Sequence, residues 1–127
     1  MTKVRGIRGA TTADKNTKSC ILNATEEMLS DLVEKNGLDV DDIAAAYFTT
    51  TNDLNAEFPA VSARQLGWSH VALICGHEMA VPDSLAQCTR VLLLVNTDKS
   101  ARELINVYLK GAVNLRTKRY NFKSKIY

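Results

Sequence analysis

The chain of 127 residues lacks the features that mark several large classes of protein. No apolar run approaches the ~20 residues that a membrane-spanning helix needs, and the first residues, MTKVRGIRGATT, contain no apolar signal region. The three cysteines include no Cys-x-x-Cys pair, and their odd number argues against a disulfide framework. We therefore expect a protein of the reducing cytoplasm with no membrane partner.

Motifs for common cofactors are also missing. The segment Arg5 to Gly9, RGIRG, has neither the GxGxxG spacing nor the Lys-Ser/Thr ending of a phosphate-binding loop. The residues Cys75, His77, Glu78 and Cys88 are of types that bind zinc, but no second histidine lies near them. Adjacent residues on a strand also point apart. We therefore expect neither a phosphate-binding loop nor a metal site.

Positive charge is concentrated at the C-terminal end. Residues 110–127 hold six basic side chains and no acidic one, whereas the other residues have ten basic and fourteen acidic side chains, a net charge of −4. A basic tail can bind a polyanion, but only Tyr120 and Phe122 offer aromatic rings there, and no nucleic-acid motif is present. We expect residues 117–127 to be a flexible, solvated tail, with no nucleic-acid partner.

The remaining sequence predicts one domain, residues 1–116, with a mixed sheet. Its composition, 46% apolar and 24% charged, is ordinary for a globular protein, and no repeat or linker divides it. This α/β (α+β) domain would pack its sheet against one long and one or two short helices. The predicted strands are Val4 to Ala13, Ile43 to Thr50, Val71 to Cys75 and Val91 to Val95; the predicted helices are Asn16 to Asn36, Pro59 to Leu66 and a third that begins at Ser100.

The third helix is predicted from the pair Ser100 and Glu103, which form a capping box, although Val107 to Leu109 is also compatible with extended chain. The strand Val91 to Val95 does not alternate between apolar and polar residues, so we expect it to be buried on both faces. Arg90, directly before it, points to the same side as Leu92 and Leu94. A guanidinium held against an apolar face needs an anion, which is either internal or a ligand.

Residue types from separate segments are suited to a pocket for a small organic polyanion. Arginine binds carboxylates through two parallel hydrogen bonds, and hydroxyl or carboxylate groups contact a neutral polar group of the ligand. The candidates are the cations Arg8, Arg64, Arg90 and Arg116, the apolar walls Phe58, Leu73 and Leu115, and the polar groups of Cys75, Glu78 and Tyr108. A nucleophilic Cys75 activated by His70 or His77 is an alternative, but a buried, inert strand cysteine is the more common state.

Several short motifs resemble the AroH-type (Bacillus-type) chorismate mutases. They are RGIRGATTA from Arg5 to Ala13, FPA from Phe58 to Ala60 with Arg64, and LGW from Leu66 to Trp68; then Cys75 with Glu78 and Met79, CTRV from Cys88 to Val91, VYL from Val107 to Leu109, and LR at Leu115 and Arg116. The resemblance covers roughly residues 1–116. The chain departs from the family pattern at Val61, Gly76 and His77, and Thr-Lys-Arg follows Arg116.

The resemblance implies a homotrimer, built as a trimeric pseudo-α/β barrel, with active sites at the subunit interfaces. It implies an isomerase that rearranges chorismate to prephenate without a cofactor. Its catalytic residues would be Arg90, Arg8, Glu78 and Tyr108, and its substrate-binding residues Cys75, Phe58, Ala60, Arg64, Leu73, Ile74, Leu115 and Arg116. The same arginines would also serve a non-catalytic trimeric protein that binds small carboxylates, or an imine-hydrolysing trimeric enzyme.

Overall fold

The computed structural model describes residues 1–115, in which five strands form one mixed sheet. The strands are β1 (Lys3–Thr12), β2 (Ile43–Thr50), β3 (Ala72–His77), β4 (Cys88–Thr97) and β5 (Val107–Tyr108), and their order in the sheet is β3-β2-β4-β1-β5. The central strand β4 runs antiparallel to both β1 and β2, whereas the edge strands β3 and β5 run parallel to their neighbours. The predicted mixed sheet is confirmed.

Two α-helices, α1 (Lys18–Asn36) and α2 (Ala60–Gln65), pack against this sheet, as predicted. Helix α1 begins where the Thr17 hydroxyl accepts a hydrogen bond from the backbone N–H of Cys20 at 3.2 Å. It ends at Gly37, whose φ of 57° is a left-handed conformation that glycine adopts without steric cost. Its buried stripe consists of Ile21, Ala24, Thr25, Met28, Leu29, Leu32 and Asn36.

The hydrophobic core lies between the helices and one face of the sheet. Ile7 of β1, Phe48 of β2 and Leu93 of β4 are fully buried there against the stripe of α1. The contact is close at Gly9, where an added Cβ would lie 2.8 Å from Leu32 Cδ1. Glycine is therefore needed at this position for the helix to approach the strand.

The other face of the sheet, here called the open face, is not covered by either α-helix; at one end the 3₁₀ helix Lys110–Ala112 packs on it, where Ala112 is buried with Ala10 and Cys88. Along β4, Val91, Leu93 and Val95 are buried, whereas Leu92 is 41% exposed and Leu94 38%. The prediction that this strand is buried on both faces is therefore wrong for the single chain, because both helices pack on the same side. The predicted orientation of Arg90, on the same side as Leu92 and Leu94, is confirmed by the alternation.

The predicted third helix is also wrong, although its capping box forms. The backbone N–H of Ser100 donates to Glu103 Oε1 at 2.9 Å, but only a single turn of 3₁₀ helix, Ala101–Glu103, follows. The backbone of Ile105 is bonded instead to the buried Asn36 side chain, through both its N–H (2.7 Å) and its carbonyl (2.9 Å). These bonds occupy groups that a helix would use, and the chain continues into β5 beside β1. None of the described helices is long and apolar enough to cross a membrane.

Candidate active site

A cleft of about 370 Å³ lies on the open face, at the end of the sheet where β3 ends and β4 begins. Its volume is within the usual range for small-molecule sites. The side chains around it come from β1, β2, β4, β5 and the segments that follow β3 and β5: Arg8, Ala10, Tyr47, Thr49, Glu78, Arg90, Leu92, Tyr108 and Leu115. All four residues predicted to be catalytic, Arg8, Glu78, Arg90 and Tyr108, are thus brought together from segments far apart in sequence.

Strand register explains this convergence. Ala10 is the cross-strand partner of Arg90 on one side and of Tyr108 on the other. Arg8 lies two residues earlier on β1 and therefore on the same face. Thr49 of β2 is the partner of Arg90 on its second side. One row across four strands thus carries a cation, a phenol and a hydroxyl, with the short side chain of Ala10 between the larger groups.

Arg90 of β4 and Glu78, which follows β3, approach each other without forming a hydrogen bond. Arg90 Nη1 is 3.8 Å from Glu78 Oε1, and the two side chains are 27% and 26% exposed. Arg90 Nε is buried and has no hydrogen-bond partner among residues 1–115. A buried donor without a partner costs free energy, so the site is suited to an anion that would accept from Arg90.

Glu78 is held by two contacts to β2. Its backbone N–H donates to the carbonyl of Thr50 at 2.8 Å, which extends the pairing of β3 with β2 by one residue. Its Oε2 accepts a hydrogen bond from the Thr49 hydroxyl. The carboxylate is therefore oriented by its neighbours on β2 as well as by the charge of Arg90.

Other residues predicted to bind substrate lie away from this cleft. Phe58 and Cys75 line a second cleft of about 310 Å³, together with Glu57 and His77. Phe58 is 67% exposed, and its backbone N–H donates to Glu57 Oε1 at 2.9 Å. This hydrogen bond, with the nearby Lys18, holds the pKa of Glu57 below its usual value. Burial raises the pKa of the Cys75 thiol, so it is a poor nucleophile at neutral pH.

The remaining predicted residues also differ in their surroundings. Leu73 lies on the helix side of β3 and packs against the core, whereas Ile74 lies on the open face and is 56% exposed. Ala60 is buried at the start of α2, and Arg64 is exposed near its end. Leu115 lines the first cleft. Arg116 and the predicted flexible tail, residues 117–127, are outside the described residues.

Tyr47 and Thr49 line the first cleft but were not among the predicted site residues. The alternation of Ile43–Thr50 carries a signal for them, because the two side chains share a face that is not the face of the fully buried Phe48. The alternation does not predict that Thr49 pairs with Arg90, because this pairing depends on the order of the strands in the sheet.

Taken together, the first cleft offers two guanidinium groups, one carboxylate and two phenols beside apolar side chains. Arginines bind carboxylates, and the carboxylate of Glu78 accepts a hydrogen bond from a hydroxyl. No three His, Cys, Asp or Glu side chains of residues 1–115 form a group that would hold a metal ion. The cleft is therefore suited to a small organic anion that also has a hydroxyl group.

Comparison with known proteins connects this geometry to a family. Residues 4–119 match the family described as chorismate mutase type I. The chain belongs to the type I chorismate mutase family. The family resemblance stated from the sequence motifs is therefore confirmed.

Individual members of the type I chorismate mutase family are similar over most of their length. Chorismate mutase AroH of Thermus thermophilus is 46% identical over 114 residues, which are 89% of this chain and 93% of the relative. Chorismate mutase AroH of Bacillus subtilis (strain 168) is 40% identical over 114 residues, 89% of this chain and 90% of the relative. The solved structure of a chorismate mutase from Clostridium thermocellum is 49% identical, with a TM-score of 0.84 over 85% of this chain and 96% of the other.

Proposed function

We propose that this chain is a chorismate mutase, an isomerase that rearranges chorismate to prephenate in the synthesis of phenylalanine and tyrosine. The observation that carries the proposal is the convergence of Arg8, Glu78, Arg90 and Tyr108 on one cleft in a member of this family. The reaction is a Claisen rearrangement, which needs no acid, base, nucleophile or cofactor. We also propose the cytoplasm as its location.

The roles of the four residues follow from what the rearrangement requires. Chorismate is a flexible dianion that must adopt a compact conformer, and Arg8, aided by Tyr108, holds its enolpyruvyl carboxylate in that conformer. Negative charge grows on the ether oxygen as the C–O bond lengthens, and Arg90 donates hydrogen bonds to this oxygen and to a carboxylate. Glu78 accepts from the ring hydroxyl. The Nε of Arg90, which has no hydrogen-bond partner among residues 1–115, supports this assignment, since the donor is already in place before substrate binds.

We further propose that the active enzyme is a homotrimer with the architecture of a pseudo-α/β barrel. The open face carries apolar side chains that a monomer would leave in water: Val4 is 59% exposed, Tyr47 50%, Ile74 56%, Leu92 41% and Leu94 38%. A cluster of this kind is typical of an interface. A second copy seated there would bury it, and a third would close the ring.

The second cleft supports interface active sites. Phe58 is exposed although it is a large apolar residue, and Arg64 is an exposed cation on the neighbouring helix. In the proposed trimer, this edge of one subunit faces the first cleft of the next. Phe58, Ala60, Leu73, Ile74 and the Cys75 segment would form the substrate's second wall, with Leu115 opposite and Arg64 and Arg116 near the mouth.

The test of the reaction is to mix purified protein with chorismate and follow its loss together with the appearance of prephenate. We expect rapid turnover, which is lost in a folded Arg90→Ala variant. A mimic of the transition state should also bind far more tightly than chorismate. A trimeric carboxylate-binding protein or an imine-hydrolysing enzyme would show no such preference, and absence of turnover by the folded wild-type protein would reject the proposal.

The shared active site has a separate test. In the proposed trimer, Arg90 and Arg64 of one active site come from two different subunits. Arg90→Ala and Arg64→Ala would therefore each damage a different half of the site. When the two variants are unfolded and refolded together, mixed trimers should contain some intact sites and recover part of the activity. Sedimentation equilibrium should give the mass of a trimer. A monomeric mass, or no recovery on mixing, would contradict the interface site while leaving the reaction itself in place.

A further inference from the structure

Thr49 lies between Arg90 and Glu78 in the cleft and has no role among the four proposed catalytic residues. On β2 it is the cross-strand partner of Arg90 on one side and of Gly76, two residues before Glu78, on the other. Its hydroxyl donates to Glu78 Oε2. The hydrogen bond is partly buried, and it joins the central part of the sheet to the carboxylate that follows β3.

This hydrogen bond accompanies an unusual geometry of the Arg90 and Glu78 pair. A guanidinium and a carboxylate that meet freely tend to form two parallel hydrogen bonds, about 2.7–2.9 Å long, and use both carboxylate oxygens. Here one oxygen is bonded to Thr49, and the other remains 3.8 Å from Arg90 Nη1. The paired fork is therefore not formed, although the two groups are adjacent.

We propose that Thr49 is a positioning residue, which holds the Glu78 carboxylate back from Arg90 so that both charged groups remain available to substrate. The inference rests on the function proposed above and deepens it. With Oε2 bonded to Thr49, Oε1 of Glu78 is free to accept from the ring hydroxyl. With no carboxylate bonded to its fork, Arg90 donates to the ether oxygen and to a carboxylate of the substrate.

Loss of the Thr49 hydroxyl would change this balance. Glu78 Oε2 would lose its hydrogen bond, and the carboxylate would rotate toward Arg90, because an ion pair with this cation would replace the lost interaction. The pair would then form inside a partly buried cleft, where ion pairs are strong. Substrate would have to break that pair before Arg90 could reach it, so the rate would fall although none of the four proposed catalytic residues had been replaced.

The experiment compares two substitutions at this position. Thr49→Val keeps the shape of the side chain and removes the hydroxyl, whereas Thr49→Ser keeps the hydroxyl and removes a methyl group. We expect kcat/KM of Thr49→Val to fall about tenfold to a hundredfold, the usual size for a hydrogen bond to a charged group. We expect Thr49→Ser to restore most of the activity.

A matched control is available on the opposite face of the same sheet. Thr89 is fully buried on β4, and its hydroxyl has no hydrogen-bond partner among residues 1–115. Thr89→Val makes the same chemical change next to Arg90 in sequence, but it does not touch Glu78. It should keep wild-type turnover. Equal losses in Thr89→Val and Thr49→Val would assign the effect to the sheet and overturn the proposal.

The decisive readout is a double-mutant cycle with Glu78→Ala. A residue that acts through Glu78 has no effect once Glu78 is removed, so Thr49→Val should be nearly neutral in the Glu78→Ala background. Additive losses, or full activity of Thr49→Val alone, would overturn the positioning role. Because wild-type turnover of chorismate is measured in the same cycle, its absence would instead reject the proposed function.

Discussion

The substitution Arg90→Lys separates the charge of this residue from its geometry. Lysine keeps one positive charge but replaces a planar fork of donors with a single ammonium on a flexible stem. In the cleft, Arg90 Nε is buried without a partner among residues 1–115, and Nη1 is only within 3.8 Å of Glu78. Two differently placed donors are thus available to substrate, and lysine cannot supply both at once.

The expected loss follows from the size of comparable contacts. Removing one preorganised donor from a developing oxyanion typically costs about 3 kcal/mol, on the order of a hundredfold in kcat. We expect Arg90→Lys to lose at least this much in a steady-state assay that follows chorismate by its absorbance. Circular dichroism should show an unchanged fold, since the side chain is partly exposed and its Nε makes no hydrogen bond within the described part of the chain.

Arg5→Lys is the matched control. Arg5 also has a buried Nε without a partner in the described chain, but it lies on the helix side of β1, five residues before Ala10, which is ~17 Å along a strand. It should keep wild-type turnover. Near-wild-type kcat in Arg90→Lys would refute the role of the fork in stabilising the ether oxygen.

Three further predictions concern stability and reactivity. Gly9→Ala should lower the free energy of unfolding by about 1–3 kcal/mol in urea, because its methyl group would lie 2.8 Å from Leu32 Cδ1; Gly6→Ala, where the nearest atom is 3.4 Å away, should change it much less. Asn36→Leu should lower the free energy of unfolding by at least about 2 kcal/mol. The backbone N–H and carbonyl of Ile105, which are both hydrogen-bonded to the Asn36 amide, would lose their partners. Cys75 should react slowly with iodoacetamide at pH 8 and faster at higher pH, because burial raises its pKa; fast reaction at pH 7 would contradict this.

The long helix and the strands could be predicted from local sequence, because the signals for them are local. Thr17, the apolar stripe and Gly37 mark helix α1 without reference to the rest of the chain. The prediction of a third helix was wrong because contacts with distant residues override its local signal. Its capping box is also a local signal, but the backbone after it is bonded to Asn36 and β1, residues far away in sequence.

For the site, the sequence by itself determined which chemical groups the chain possesses and, through motifs, which family it resembles. Strand alternation also determined that Arg90 shares a face with Leu92 and Leu94. Only the tertiary structure decided that Ala10 lies between Arg90 and Tyr108, that Thr49 bonds Glu78, and that Leu92 and Leu94 of β4 are exposed in the single chain. These facts depend on sheet order and register, which arise from contacts between distant segments and are therefore not present in any one stretch of sequence.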